Sequence, residues 1–449
     1  MSMNRRPVEQ LFFWLYQFGM NTFFPIGLLI LLPMLVFERK WRSSTLPRLG
    51  FQDFPKRLRS VGSAGRRGDK VLWTHALSVG EILSAVPLIR TLHSQIKPAR
   101  LYLSVSTRSG YEVASTRLAG FCDGLFYFPF DLLFSVRRAF AKVAPSMFVL
   151  VETDIWPGFT AELGRRDIPC FVINGRLSAS SLKRYNQAKA LFSPALNTFD
   201  RIFPQSPLDA ASFRQLGVAP EKLAAPGNLK FDAALASTTA EELEQVRAKL
   251  ALGTGAKVLV AGSTHEGEEA VLRSVFLQLR KTIPALKLIV VPRHPHRAEE
   301  VHRLFLSDGL NLVYYSMLAQ RAFDVVIVDE FGVLNALYSF ADVAYVGGSL
   351  VKKGGQNPIE PAAAGKPLLF GPDMSDFQDV ANLLMTDGGA IQVHSAEELA
   401  EQCRRLLSDS AFWSRLGEKN RALVEQHRGI TDRLAEEILE AFEKTGRTT

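Results

Sequence analysis

Twelve short apolar runs, arranged in two sets of six, restrict the folds open to this chain. The first set is KVLWTHA, RLYLSVST, GLFYFPF, MFVLVET, CFVING and RIFPQS. The second is KVLVAGS, LKLIVVPR, NLVYYS, DVVIVDE, VAYVGGS and PLLFG. Continuous runs of this length, rich in β-branched and aromatic residues, suit parallel strands buried on both faces. The segments between them, such as EILSAVPLIRTLHSQIK at 81–97, have helical spacing. Alternating strands and helices predict an α/β chain, and two sets predict two doubly wound, Rossmann-like domains. The polar stretch at 232–255 is the expected boundary, giving domains at 43–235 and 236–449. Ligands are expected in a cleft between them, beside residues that directly follow strands.

Upstream lies a segment of another kind. From Gln10 to Phe37 no side chain is charged, and at ~1.5 Å per residue a helix of that length reaches ~40 Å. No small-residue cleavage site follows, which argues against a signal peptide. Pro25, Gly27 and Pro33 break the pattern and fit a helix that lies within one leaflet as well as one that crosses. Residues 1–42 are therefore expected to form a membrane anchor, with Trp14, Tyr16 and Trp41 at headgroup level. Between Glu38 and Lys70 stand ten basic and three acidic side chains, nearly the whole net charge of +8. These bases include Arg48, Lys56, Arg57, Arg59, Arg66 and Arg67, and they fit a cytoplasmic lipid surface. The remainder is near neutral, which excludes a general nucleic-acid surface. Three scattered cysteines give neither a disulfide framework nor a zinc spacing.

The strand ends supply the candidate chemistry. Glu81 opens a helix after the first strand. It reads either as a carboxylate favoured by the helix dipole or as a general base able to deprotonate a hydroxyl. His75 reads more readily as a packed, hydrogen-bonded residue than as a second base. Glu152 ends the fourth strand with Asp154 two residues on, and Asn174 and Arg176 follow the fifth. Lys230 offers a cation to phosphate or carboxylate. In the second half, Ser263 and Glu266 match a capping box. Arg293, after Pro292, can grip a phosphate, and the Gly332 and Gly347–Gly348 turns allow backbone amides to approach a nucleotide. The pair His294 and His296 lacks partner acids at ligand spacing, so no metal is expected. In GGQNPIEPAAAGKP, Pro361 is expected near the first helical position. Glu360 is placed to accept the hydroxyls of a ribose.

The motifs SVGE, VETDIWP, NGRLS, GNLKFD, AGSTHEGEE, VPRHP, VGGSLV and GGQNPIEPAAAGKPLLFGP occur in this order. Together they resemble the 3-deoxy-D-manno-octulosonic acid (Kdo) transferases of lipopolysaccharide assembly, over about residues 70 to 395. The resemblance implies an inverting GT-B glycosyltransferase without metal or other cofactor, carrying an N-terminal membrane-anchor helix. The donor it implies is CMP-Kdo, the acceptor the lipid A precursor (lipid IVA), and the location the cytoplasmic face of the inner membrane. Glu81 would be the catalytic base, with Glu152 and Lys230 supporting the transition state. Pro292, Arg293, Phe331, Gly332, Val333, Asn357, Pro358, Ile359 and Glu360 would bind CMP. Val333 stands where the family usually has Glu, and Gln356 where His is common. Two other readings fit parts of the pattern. One is a membrane-associated GT-B enzyme using another sugar nucleotide, the other a non-catalytic sugar-nucleotide-binding protein.

Overall fold

The computed structural model describes residues 7–30, 39–55, 70–236 and 238–445. Residues 31–37 of the uncharged segment lie outside it, as do Lys56, Arg57, Arg59, Arg66 and Arg67. The chain divides into two units, residues 1–233 with 429–449, and residues 234–428.

In the first unit the strands are β1 (Val71–Ala76), β2 (Arg100–Val105), β3 (Gly124–Tyr127), β4 (Met147–Val151), β5 (Cys170–Gly175) and β6 (Arg201–Pro204). They form one parallel sheet in the order β3-β2-β1-β4-β5-β6. The order reverses between β1 and β4, so the helices after these strands leave on opposite faces and open a crevice at their carboxyl ends. Each face carries its own core, as strand alternation requires. Leu72, Leu101, Val149 and Ile173 pack on one face, with Ile82, Leu88 and Leu92 of the helix Val79–Gln95. Val71, Trp73, Phe148 and Val172 pack on the other. There Trp73 is ringed by Phe126, Phe140, Phe148 and Phe159, centroids 5.2–5.6 Å away. Its indole Nε1 donates to Ser104 Oγ at 2.8 Å, so the buried indole is satisfied.

The C-terminal helix Ile430–Lys444 belongs to this first unit rather than to the second, where a boundary at 236–449 put it. Its Ile430, Leu434, Ile438 and Phe442 complete the core over β1 and β2. Asp232 accepts from Gly429 N at 2.9 Å and Thr431 N at 2.6 Å, tying the start of the helix to the end of the unit. Its charged sequence hid this placement, because only one face is apolar.

In the second unit the strands are β7 (Lys257–Thr264), β8 (Leu286–Pro292), β9 (Leu312–Tyr314), β10 (Val325–Ile327), β11 (Val343–Val346), β12 (Leu368–Phe370) and β13 (Ala390–Gln392). Again all pairings are parallel, in the order β13-β12-β11-β7-β8-β10-β9. The chain order reverses about β7, and the residues following β7, β8 and β11 share its carboxyl edge. All twelve apolar runs fall on strands. β13, three residues without a long apolar run, is the one the sequence pattern missed.

The first part of the uncharged segment lies in a helix, Pro7–Ile30, which starts three residues before it, carries Glu9 in its first turn and has Pro25 inside it. One side is tied to the first unit. Tyr16 OH donates to Asp131 Oδ2 at 2.7 Å, Asn21 Oδ1 accepts from Leu133 N at 2.9 Å, and Phe24 packs on Phe130 at 4.9 Å. Asp131 also accepts from Gly158 N and Phe159 N, at 2.7 and 2.6 Å. The other side exposes Leu11, Trp14, Leu15 and Phe18. Among the described residues no helix is long and apolar enough to cross a membrane.

Candidate active site

In the first unit the crevice beside β1 and β4 holds a cavity of about 180 Å³. Leu77, Glu81, Glu152, Thr153, Asp154, Arg176, Ser178 and Ser181 line it. Three carboxylates thus share one small space. Glu81 is the third residue of the helix Val79–Gln95 and is only 7% exposed. It reaches back over the helix start, where Leu77 N and Ser78 Oγ donate to its two oxygens. Burial, and then the charges of Glu152 and Asp154, push its carboxyl up to about 8. A carboxylic acid tuned to that range is suited to exchange a proton with a hydroxyl near neutral pH. Gly80 beside it is exposed, and a Cβ there would meet no protein atom within 4 Å. The backbone at the helix start is therefore open to a ligand.

Glu152 follows β4 in the left-handed region, φ 61°, a conformation that costs a side-chain-bearing residue roughly 1–3 kcal/mol. The conformation brings its carboxylate beside Lys230, Oε1 to Nζ 3.3 Å. Lys230 is set by two asparagines. Asn228 Oδ1 accepts from Lys230 N at 3.0 Å, and Asn174 Oδ1 accepts from Leu229 N at 3.0 Å. Asn174 is fully buried, so it supports the lysine loop and does not sit at the rim as its position in the sequence suggested. Arg176 does line the cavity. Glu81, Glu152 and Lys230, predicted from three distant segments, come together here.

The second unit assembles the other predicted residues along its carboxyl edge. Arg293 follows β8 with an exposed side chain, and its backbone N–H donates to Thr264 O at 2.9 Å. Glu360 accepts from Asn357 Nδ2 at 3.0 Å, while Asn357 Oδ1 accepts from Ile359 N at 3.1 Å. Burial raises the Glu360 carboxyl, and Asn357 and then Arg293 oppose that rise. Glu360 also raises the buried Tyr338 hydroxyl, after burial itself, so these groups share one locale. Phe331 and Gly332 are exposed, Gly332 with φ 91°, and Val333 precedes the helix Leu334–Tyr338. Pro292 is buried at the end of β8.

Two details differ from expectation. The helix of GGQNPIEPAAAGKP runs Ile359–Ala363, so Pro358 caps it and Pro361 is its third residue rather than its first. Both positions tolerate proline, because N–H groups of the first turn have no partner within the helix. The S-x-x-E capping box does not form. Ser263 lies within β7, and the following helix is Glu268–Arg280, led by Gly267.

Glu268 is the residue that motif reading missed. Fully buried at the start of that helix, it accepts from His265 N (2.9 Å), Gly348 N (2.7 Å), Ser349 N (3.0 Å), Leu350 N (3.1 Å) and Tyr345 OH (2.7 Å). One carboxylate thereby fixes the Gly347–Leu350 turn after β11. The glycines make that turn possible. A Cβ at Gly347 would lie 2.5 Å from Ser263 O, and Gly348 has φ 71°. The turn holds the glycine-rich loop in turn, through Gly355 N to Gly348 O at 2.9 Å and Gln356 N to Gly347 O at 3.0 Å. Among the described residues no group of three or more His, Cys, Asp or Glu is arranged to hold a metal ion.

Two doubly wound parallel-sheet units, each with polar groups gathered at a carboxyl edge, define a GT-B fold. Solved structures that share it include the UDP-GlcNAc 2-epimerase from Neisseria meningitidis bound to UDP-GlcNAc. It has a TM-score of 0.61 and 16% identity, covering 83% of this chain and 100% of that one. The S. aureus MnaA–UDP co-structure has a TM-score of 0.57 and 12% identity, covering 83% and 97%. At these identities the likeness concerns the fold alone. Sequence relatives are more specific. Residues 52–233 match the family model for 3-deoxy-D-manno-octulosonic-acid transferase (kdotransferase). A 3-deoxy-D-manno-octulosonic acid transferase of Haemophilus influenzae is 31% identical over 401 residues, 88% of this chain and 90% of that one. One from Bordetella pertussis is 32% identical over 387 residues, 83% and 88% of the two chains. The chain belongs to the 3-deoxy-D-manno-octulosonic acid transferases and is a glycosyltransferase.

Proposed function

We propose that the protein transfers Kdo from CMP-Kdo to the lipid A precursor, lipid IVA, at the cytoplasmic face of the inner membrane. The observation that carries the mechanism is the raised Glu81 carboxyl in a pocket of three carboxylates. When ionised, Glu81 takes the proton of an acceptor hydroxyl. The hydroxyl oxygen bonds to the anomeric carbon of Kdo from the face opposite the nucleotide, and the bond from that carbon to the CMP phosphate breaks. The configuration inverts and CMP leaves with the electron pair. The transition state carries a cationic sugar and a departing phosphate. Lys230, held beside Glu152, supplies positive charge to the anionic groups brought together there. Arg293 is assigned to the nucleotide phosphate and Glu360 to the ribose hydroxyls. Pro292, Phe331, Gly332, Val333, Asn357, Pro358 and Ile359 shape the CMP site. At Val333, where the family usually has Glu, the contact falls to the backbone. No metal is assigned a role. Mass spectrometry after incubation with CMP-Kdo and lipid IVA tests this reading. A product heavier by one or more Kdo units is expected, whereas unchanged acceptor overturns the proposal.

Membrane lipid is the further partner proposed. The helix Pro7–Ile30, uncharged beyond Glu9, presents Leu11, Trp14, Leu15 and Phe18 outward while Tyr16, Asn21 and Phe24 hold it to the first unit. An apolar stripe on a docked helix suits insertion into one leaflet. Phe51, Leu133 and Phe134 are exposed beside it, with the Phe51 and Phe134 rings 6.2 Å apart. These features also dictate the experiment, since deleting the helix would strip Asp131 of the Tyr16 hydroxyl. Substituting Leu11, Trp14, Leu15 and Phe18 together with Ser keeps the docked side. Flotation with anionic lipid vesicles is expected to fall at least about tenfold, because each apolar side chain buried contributes roughly 1.5–3 kcal/mol. Undiminished flotation of a folded variant would remove the helix face from the proposal.

A further inference from the structure

Behind Glu81 lies a histidine–aspartate pair that the proposed reaction leaves without a role. His75, in β1, has no exposed surface, and its ring stacks on Phe128 with centroids 3.8 Å apart. Its Nδ1 is 2.9 Å from the carbonyl oxygen of Ser104, which can only accept. Nδ1 therefore carries a hydrogen, since a lone pair there would face the carbonyl oxygen at that distance. The Ser104 hydroxyl lies slightly farther from Nδ1, at 3.0 Å. Nε2 then points at Asp154 Oδ2, 3.6 Å away. Both atoms are buried, and among the described residues neither has a hydrogen-bond partner elsewhere. A neutral ring and an ionised carboxylate would set two buried acceptor atoms face to face, an arrangement that burial penalises, although the rest of the Asp154 side chain reaches the pocket. One additional proton, on either atom, removes the conflict.

We propose that His75 and Asp154 hold a single proton between Nε2 and Oδ2, and that this pair sets the charge against which Glu81 gains and loses its own proton. The proposal rests on the reading of Glu81 as the base. Three carboxylates line the pocket, and each has a different counterweight. Lys230 stands 3.3 Å from Glu152. The shared proton offsets Asp154. Glu81 has the Leu77 N–H and the Ser78 hydroxyl, which are donors without charge. It is thus the carboxylate whose ionisation depends most on its neighbours. The other ionisable groups that face the pair are Arg48, Asp131 and Tyr185, each of which feels the charge of Asp154. Arg176 lines the same pocket. None of the four touches His75 through a hydrogen bond, so exchanging His75 changes the charge at Asp154 first.

The test is the pH dependence of kcat/KM for transfer, which reports the free enzyme's ionisations. His75→Gln keeps a polar side chain but cannot carry the charge. Asp154 is left uncompensated, and the rising limb of the profile is expected to move up by about one pH unit. Asp154→Asn removes the carboxylate together with the proton that offsets it, so the limb is expected to move down by much less than His75→Gln moves it up. The double variant is expected to follow Asp154→Asn, since without that charge His75 has nothing to offset. A purely structural role would lower kcat/KM at every pH and leave the midpoint in place. A midpoint unmoved in His75→Gln overturns the proposal. Where His75→Gln does not fold, the size of the Asp154→Asn shift carries the test, because a downward move of about one pH unit or more would show a carboxylate charge that no proton offsets and would overturn the proposal. If the limb survives in Glu81→Gln, the base assignment fails. A shift of that limb by His75→Gln would still support the pair, acting on Glu152.

Discussion

Replacing Glu81 with glutamine is expected to reduce transfer by about 10³-fold or more while leaving CMP affinity unchanged, since a positioned general base contributes roughly 10²–10⁴ in rate. Glutamine keeps the size of the side chain and an oxygen for the Leu77 N–H. It removes only the ability to take a proton. Wild-type kcat/KM should rise with pH through about 8, where Glu81 ionises, and the variant should lack that limb. Stability moves the opposite way. The folded state binds this proton more tightly than the unfolded chain, so its contribution is complete below the ordinary carboxylate range and is lost as pH rises through about 8. Glu81→Gln should therefore unfold at a higher temperature than wild type at pH 9 and differ less at pH 6. Near-normal turnover of the variant would rule Glu81 out as the base.

The pH behaviour separates two readings of Glu81 that the sequence left open. A carboxylate placed in a first turn merely to meet the helix dipole would be stabilised in its charged form. Here the balance is reversed. Burial and the charges of Glu152 and Asp154 outweigh the Leu77 N–H, and the carboxyl is raised. A site that makes its own carboxylate costly to ionise spends stability on chemistry. The left-handed backbone of Glu152 is a second expense in the same pocket. Neither is visible in a string of residues, because each depends on what tertiary contact brings within a few ångströms.

What the string does show is the scaffold. Buried parallel strands advertise themselves as apolar runs, and ligand sites in such folds follow strand ends, so Glu81, Glu152 and Arg293 could be picked out as candidates by position, while Lys230 and Glu360, well beyond β6 and β11, stood out through their loop motifs. Residues that act by holding backbone were harder to find. Asn174 was legible as a strand-end residue, yet its role is to accept from Leu229 N, fifty-five positions away. The pairing of His75 with Asp154 needed the register of β1 against β4. The C-terminal helix was misplaced because its apolar face gives its period but not its partner. Glu268 lay inside a motif, AGSTHEGEE, whose capping-box reading drew attention to Ser263 and Glu266 instead.

Glu268 leads to the second large effect. Its carboxylate takes five donors, four of them backbone N–H groups, and no water reaches it. In Glu268→Gln one oxygen becomes an NH₂ group that faces donors. If the amide oxygen keeps the place of Oε1, it serves Ser349, Leu350 and Tyr345. The amide nitrogen then meets the N–H groups of His265 and Gly348, which lose their acceptor. Leaving buried donors unpaired costs about 1–3 kcal/mol each, so the two lost here are expected to lower the stability of the second unit by roughly 2–6 kcal/mol. The Gly347–Leu350 turn should loosen with it. Through Gly355 and Gln356 that turn sets the loop leading to Asn357 and Glu360, so CMP affinity measured by calorimetry should fall about tenfold or more. The carboxylate pocket of the first unit contains none of these residues. Saturating the variant with CMP-Kdo should therefore restore much of kcat, and the defect should appear chiefly in the KM for the donor. A variant with wild-type melting temperature and CMP affinity would show that the five donors do not depend on the charge. A loss confined to kcat would assign Glu268 to the chemical step instead of the loop.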